Sequence, residues 1–147
     1  MVRILHTSSS NCSDYQTCAN KILGLQGQHV VNDGAPDIAY NFLIGGDGNI
    51  YLGRGADVSN DQRPDAYDVA YVGNYLAPYD KVNDKMDKAG RRLLKRLLER
   101  GKLDKDYVVV AYNQTERVNS PGENVFKRVM LWPHYKPGLY FELSKEI

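Results

Sequence analysis

Long apolar runs, histidine and cysteine are all scarce in this 147-residue chain, and each scarcity narrows the field. No stretch of 18 or more apolar residues occurs, so nothing reads as a bilayer-spanning helix. The opening residues, Met1-Val2-Arg3-Ile4-Leu5, have no apolar signal-peptide core and read as the start of a strand. The expectation is a domain excised from a longer protein. Only three histidines are present, His6, His29 and His134, and no two stand at metal-site spacing. No Ser or Cys sits in a G-x-S-x-G elbow. Gly53-Arg54-Gly55 is followed by no helical pattern, so it is no phosphate cradle. Basic excess is missing too: 19 Lys and Arg against 18 Asp and Glu leave a net charge of +1. The one basic cluster, Arg91 to Arg100, is broken by apolar residues and reads as a solvated helix face, which argues against a nucleic-acid binder. Carboxylates are plentiful, but none is expected to be buried beside a partner.

What remains is the composition of a soluble globular domain, 42% apolar, with a length that suits one core over residues 1–147. The six-residue spacing of Cys12 and Cys18 leaves two readings open, free thiols on a short helix or a small disulfide loop of an oxidising compartment. Asn11-Cys12-Ser13 and Asn113-Gln114-Thr115 are sequons, making Asn11 and Asn113 glycosylation candidates.

Periodicity predicts a strand over 2–6, a helix from Tyr15 to about Gln28, and a loop at 32–36. Strands are expected at 38–44 and 49–52, joined through Gly45-Gly46-Asp47-Gly48. Further strands are expected at 67–75 and 107–111. Met86, Ala89, Leu93, Leu94, Leu97 and Leu98 form the stripe of a helix over 83–100, stopped at Gly101. Ser120-Pro121-Gly122-Glu123 reads as an N-cap, a first-turn proline and a capping-box acid opening a last helix. The tail after Pro137 is expected to be loosely docked. The irregular alternation of strands and helices predicts an α/β fold with helices packed on a mixed sheet.

Several stretches resemble the peptidoglycan recognition proteins, relatives of zinc-dependent N-acetylmuramoyl-L-alanine amidases. The strongest runs from Asp37-Ile38-Ala39-Tyr40-Asn41-Phe42 through Gly45-Gly46-Asp47-Gly48 to Gly53-Arg54-Gly55. Leu5-His6-Thr7, the Cys12/Cys18 pair, Val72-Gly73-Asn74-Tyr75, Ser120-Pro121-Gly122 and Trp132-Pro133-His134 follow the family's order. The resemblance implies a central mixed β-sheet flanked by about three helices. It also implies a Cys12–Cys18 disulfide and an extracellular setting, secreted or as a membrane-anchored ectodomain. The usual segment before the first strand is missing from the match.

The departures concern the metal. Where active members place two histidines and a cysteine on zinc, this chain has Leu5, Tyr112 and Ser120. The threonine before the cysteine is Val118, and of the catalytic surroundings only Tyr40 persists. No metal, no cofactor and no enzymatic activity are therefore expected. The ligand groove is expected to be degraded. The family's Gly-Trp pair is Gly34-Ala35 here, and the wall after Gly55 is shorter and has lost its aromatic and its histidine. Arg54, Tyr40 and Gly34 remain as candidate ligand contacts, and a glycan on Asn113 is expected to crowd the vacated metal position. Two functions follow. The first is a co-receptor or decoy in innate immune signalling that contacts other recognition-protein ectodomains or an immune receptor, with Tyr67, Tyr75 and Tyr79 as possible anchors against an equal case for core packing. The alternative is non-catalytic binding of diaminopimelate-type peptidoglycan fragments. Neither involves nucleic acid or membrane contact by this segment.

Overall fold

The first strand is buried on both faces, and the rest of the chain is arranged around it. The computed structural model describes residues 1–59 and 63–140. The part of the shortened wall at 60–62 and the tail at 141–147 lie outside the described residues. β1 (Val2–His6) is buried at every position. It lies between two parallel neighbours, β4 (Tyr67–Tyr71) and β5 (Val109–Ala111). β2 (Phe42–Ile44) pairs parallel with β4, and β3 (Ile50–Leu52) closes the edge antiparallel to β2. The sheet is mixed, with order β3-β2-β4-β1-β5.

Side chains alternate between two cores. Val2, Ile4, Phe42, Ile44 and Val69 pack with α2 (Asp84–Glu99) and α3 (Glu123–Val129). Leu43 and Val72 pack on the other face with Ile22 and Leu25 of α1 (Tyr15–Gly27). The predicted stripe of α2 is buried from Met86 to Leu97, and Asn83 caps the helix by accepting the Met86 N–H at 2.9 Å. Among the described residues no helix is long and apolar enough to cross a membrane.

Cys12 and Cys18 form a disulfide beneath the hairpin. Gly45 and Gly46 are required by it: a Cβ on Gly45 would stand 2.7 Å from Cys18 Sγ, and one on Gly46 would stand 2.0 Å from the Cys12 carbonyl oxygen. The hairpin turn itself is tied by Asp47, whose carboxylate accepts the Asn49 N–H at 3.0 Å.

Three expectations drawn from the sequence depart furthest from the structure. The strand expected from residue 38 begins at Phe42, because the buried Asn41 amide turns the preceding chain by holding the Gly55 and Val58 carbonyls. The strand at 67 ends at Tyr71, where Gly73 at φ 146° leads the chain out of the sheet. Ser120 is not a helix cap: Gly122 at φ 85° stands at the start of α3, and Ser120 Oγ accepts an N–H from β1 instead. Gly122 rests on the Tyr75 backbone, where a Cβ would come within 2.4 Å of the carbonyl. Tyr75, one of the proposed exposed anchors, is buried; Tyr67 is half-buried with its hydroxyl on the Ala56 carbonyl; Tyr79 is 60% exposed.

Candidate ligand cleft

The end of β1 delivers Leu5 and His6 to a cleft of about 450 Å³. Although neighbours on a strand alternate in direction, both line it because the strand stops there. The short 3-10 turn after β5 adds Tyr112, and the segment before α3 adds Val118 and Ser120. The opposite wall comes from His29, Asp33 and Ala35 beyond α1, with Ala39, Tyr40 and Arg54 from the block around the hairpin. The three positions singled out from the sequence, Leu5, Tyr112 and Ser120, thus share one site with Tyr40 and Arg54. Gly34 does not line it; at φ 69° it turns the chain, and Ala35 faces the cleft instead.

Beneath the cleft lies an ion pair that sequence reading missed, and it overturns the expectation that no carboxylate is buried beside a partner. Arg3 Nε and Nη2 donate to the two Asp68 oxygens, each at 2.8 Å, with both residues buried. The third guanidinium nitrogen donates to Thr115 Oγ1 at 3.3 Å, and the guanidinium carbon sits 4.8 Å from the centre of the Tyr112 ring. Burial pushes the Asp68 carboxyl upward, opposed by the hydrogen bonds and charge of Arg3. For Arg3, burial works to lower the pKa, but the Asp68 contacts outweigh it and hold the guanidinium charged. The signal for this pair was weak in sequence: an arginine inside an apolar strand.

The polar side chains at the old metal position are already engaged. Ser120 Oγ accepts the His6 backbone N–H at 3.1 Å. His6 Nδ1 accepts the Tyr75 N–H at 3.1 Å, which places the neutral ring's proton on Nε2. Burial lowers the His6 pKa. It raises that of Tyr112 and pushes that of Tyr40 up to about 12, so both phenols are hydrogen-bond donors at neutral pH. His29 Nδ1 accepts the Ala39 N–H at 3.0 Å and sets its ring against Tyr40. Arg54 is nearly buried, with Nε on the Ile38 carbonyl at 2.7 Å and Nη1 on the Ser59 carbonyl at 3.2 Å.

Residues 1–123 match the family model for N-acetylmuramoyl-L-alanine amidase. The chain belongs to the peptidoglycan recognition protein family. It is 32% identical over 136 residues to Peptidoglycan-recognition protein SC1a of Drosophila melanogaster, covering 90% of this chain and 72% of that one. The structure of bumblebee PGRP-SA superposes with a TM-score of 0.89 at 29% identity, covering 93% of this chain and 83% of the other. A structure described as tracheal cytotoxin bound to the ectodomain complex of PGRP-LCa and PGRP-LCx superposes with a TM-score of 0.86 at 30% identity, covering 92% and 82%.

The zinc of the amidase branch does not fit the residues present. Leu5 has no lone pair, Ser120 is a neutral hydroxyl that already accepts a backbone N–H, and Tyr112 holds its proton and faces Arg3. Among the described residues no group of three His, Cys, Asp or Glu side chains is placed to hold a metal ion. Asn113 departs from expectation. The 3-10 turn sends it away from Tyr112 into a separate cavity of about 290 Å³ with Phe126, Tyr135 and Leu139, so a glycan there would not crowd the cleft. Asn11, the other candidate, donates to Asp80 Oδ1 at 2.9 Å and does not line the cleft. A larger cavity of about 800 Å³ lies around Met1, Tyr67 and residues 101–108; it takes Ala56, Asp57 and Ser59 from the shortened wall but none of Leu5, Tyr40, Arg54, Tyr112 and Ser120.

Proposed function

We propose that this domain binds a peptidoglycan fragment without hydrolysing it and acts in innate immune signalling outside the cell. One observation carries the reading: a cleft large enough for a small ligand stays open around three positions whose side chains cannot hold a metal. Protein contact ranked first on sequence; the open cleft reverses that order. The aromatic faces of Tyr40 and Tyr112, the His6 Nε2 proton and the phenol donors suit a polar fragment with carbonyl and carboxylate groups. The disulfide and the extracellular setting support each other.

Contact with another recognition-protein ectodomain or an immune receptor, as co-receptor or decoy, is the second reading. It is favoured by Arg54, whose guanidinium is turned to the Ile38 and Ser59 carbonyls and would have to leave them to grip a carboxylate in two-pronged fashion. Calorimetry with a diaminopimelate-type muropeptide, with and without zinc, separates the readings. The expected result is a one-to-one isotherm weakened about tenfold by Tyr40→Phe, about 1.4 kcal/mol, and no release of stem peptide. Zinc-dependent release would overturn the proposal. No heat with the fragment, together with a complex on ultracentrifugation with a related ectodomain, would replace it with the second reading.

A further inference from the structure

The other face of the sheet carries a second concavity of about 450 Å³ that shares no residue with the cleft. Its floor is apolar: Phe42, Ile50 and Leu52 from the edge hairpin, Leu93 and Leu97 from α2. Leu52 is 73% exposed there. Its rim is basic. Arg92, Arg96 and Arg100 follow one another at every fourth residue along α2, roughly 6 Å apart per step. All three are exposed, and among the described residues none has an ion-pair or side-chain hydrogen-bond partner. Two acids of α2 serve elsewhere, Asp87 with Arg91 and Trp132, Asp84 with Arg128; the third, Glu99, is exposed and does not line the groove. The one carboxylate lining the groove, Asp57, is taken by Lys102 at 2.6 Å.

A row of arginines on a helix is ordinarily a solvated face. Here a second feature points to a polypeptide. β3 is the edge of the sheet. The bonds from Gly45 N–H to Asn49 O and from Gly53 N–H to Asn41 O fix the alternation of the hairpin, so Tyr51 faces β2 while the backbone N–H and C=O groups of Ile50 and Leu52 point outward. A strand added there would place alternate side chains toward α2 about 6.6 Å apart, close to the spacing of the arginines. Glutamate suits those positions: its methylenes would cover the apolar floor and its carboxylate would reach a guanidinium.

We propose that this groove docks an extended, glutamate-rich segment of a partner protein as a sixth strand beside β3, held by Arg92, Arg96 and Arg100. A synthetic peptide alternating valine and glutamate tests it by fluorescence anisotropy, with a valine–lysine peptide and phosphatidylglycerol vesicles as comparisons. The valine–glutamate peptide is expected to bind, to lose about tenfold or more in affinity in the R92E/R96E variant, and to shift the Ile50 and Leu52 amide resonances. These residues are exposed or at the edge, and circular dichroism checks that the variant folds. The variant should leave the muropeptide isotherm intact, which keeps this proposal separate from the cleft reading. Equal binding of the lysine peptide, indifference to the charge reversal, unmoved Ile50 and Leu52 amides, or binding to the vesicles alone would each overturn it.

Discussion

The turn of the β2–β3 hairpin and the segment that closes the cleft, residues 112–122, differ in how far away in sequence their polar anchors lie. The turn of the hairpin is held by neighbours in sequence, Asp47 bonding Asn49 and Tyr51 and Gly48 taking the positive φ angle, while the disulfide packs beneath Gly45 and Gly46. The closing segment is held from afar. Thr115 receives a guanidinium N–H from Arg3, Ser120 receives an N–H from His6, and Gln114 donates to the carbonyls of Lys136 and Gly138. Family motifs persist in the first region, and the chemistry has changed in the second. A locally encoded unit keeps its shape while its surroundings vary. A unit held by distant partners can exchange a metal ligand for a ring or a hydroxyl and still be anchored.

The largest effect that would test this contrast comes from the buried pair. Asp68→Ala leaves Arg3 charged and unpaired, and should cost about 3–5 kcal/mol in urea unfolding. A loss below about 1 kcal/mol would mean that the closing segment does not depend on that charge. Asp47→Ala removes only local bonds of the turn and should cost about 1 kcal/mol, with muropeptide affinity unchanged. A change in the cleft would show that the hairpin is not the independent unit described. The smallest effect is a pH dependence. Burial lowers the His6 pKa from 6.5, so the folded chain binds that proton more weakly than the unfolded chain. His6 therefore contributes full stability above pH 6.5, and the contribution is lost as the pH falls from there toward the folded value. Thermal unfolding between pH 7.5 and 5.5 should show a midpoint falling on acidification, less steeply in His6→Gln, by about a few degrees. Equal slopes in the two proteins would remove His6 as the link between β1 and the Tyr75 loop.

The same contrast decides what could be read in the sequence. The stripe of α2, the Gly45–Gly48 turn and the strand at β1 carry local periodicity, and their positions in the structure differ from expectation by only a residue or two. The resemblance supplied the sheet, the helices and the positions of Leu5, Tyr112 and Ser120 in one site. It could not show that Ser120 bonds the His6 backbone, nor that Asn113 turns away from its neighbour Tyr112. Ser120 looked like a helix cap because its own segment has the right residues; the contact that places it comes from a residue 114 positions away. His29 follows the end expected for the first helix and Asp33 falls in the loop expected at 32–36; only the folded chain, with His29 packed against Tyr40, brings both to the wall of the cleft.

β1 is flanked by β4 and β5, and its partners begin at Tyr67 and Val109. β1 cannot be paired on both sides until a segment more than a hundred residues further along the chain has joined it. The Asn113 sequon is consumed by the same event. Folding buries Thr115 and binds its hydroxyl to Arg3 and the Tyr112 carbonyl. The hydroxyl of the sequon is therefore hidden only once β1 has joined the sheet and brought Arg3 to it.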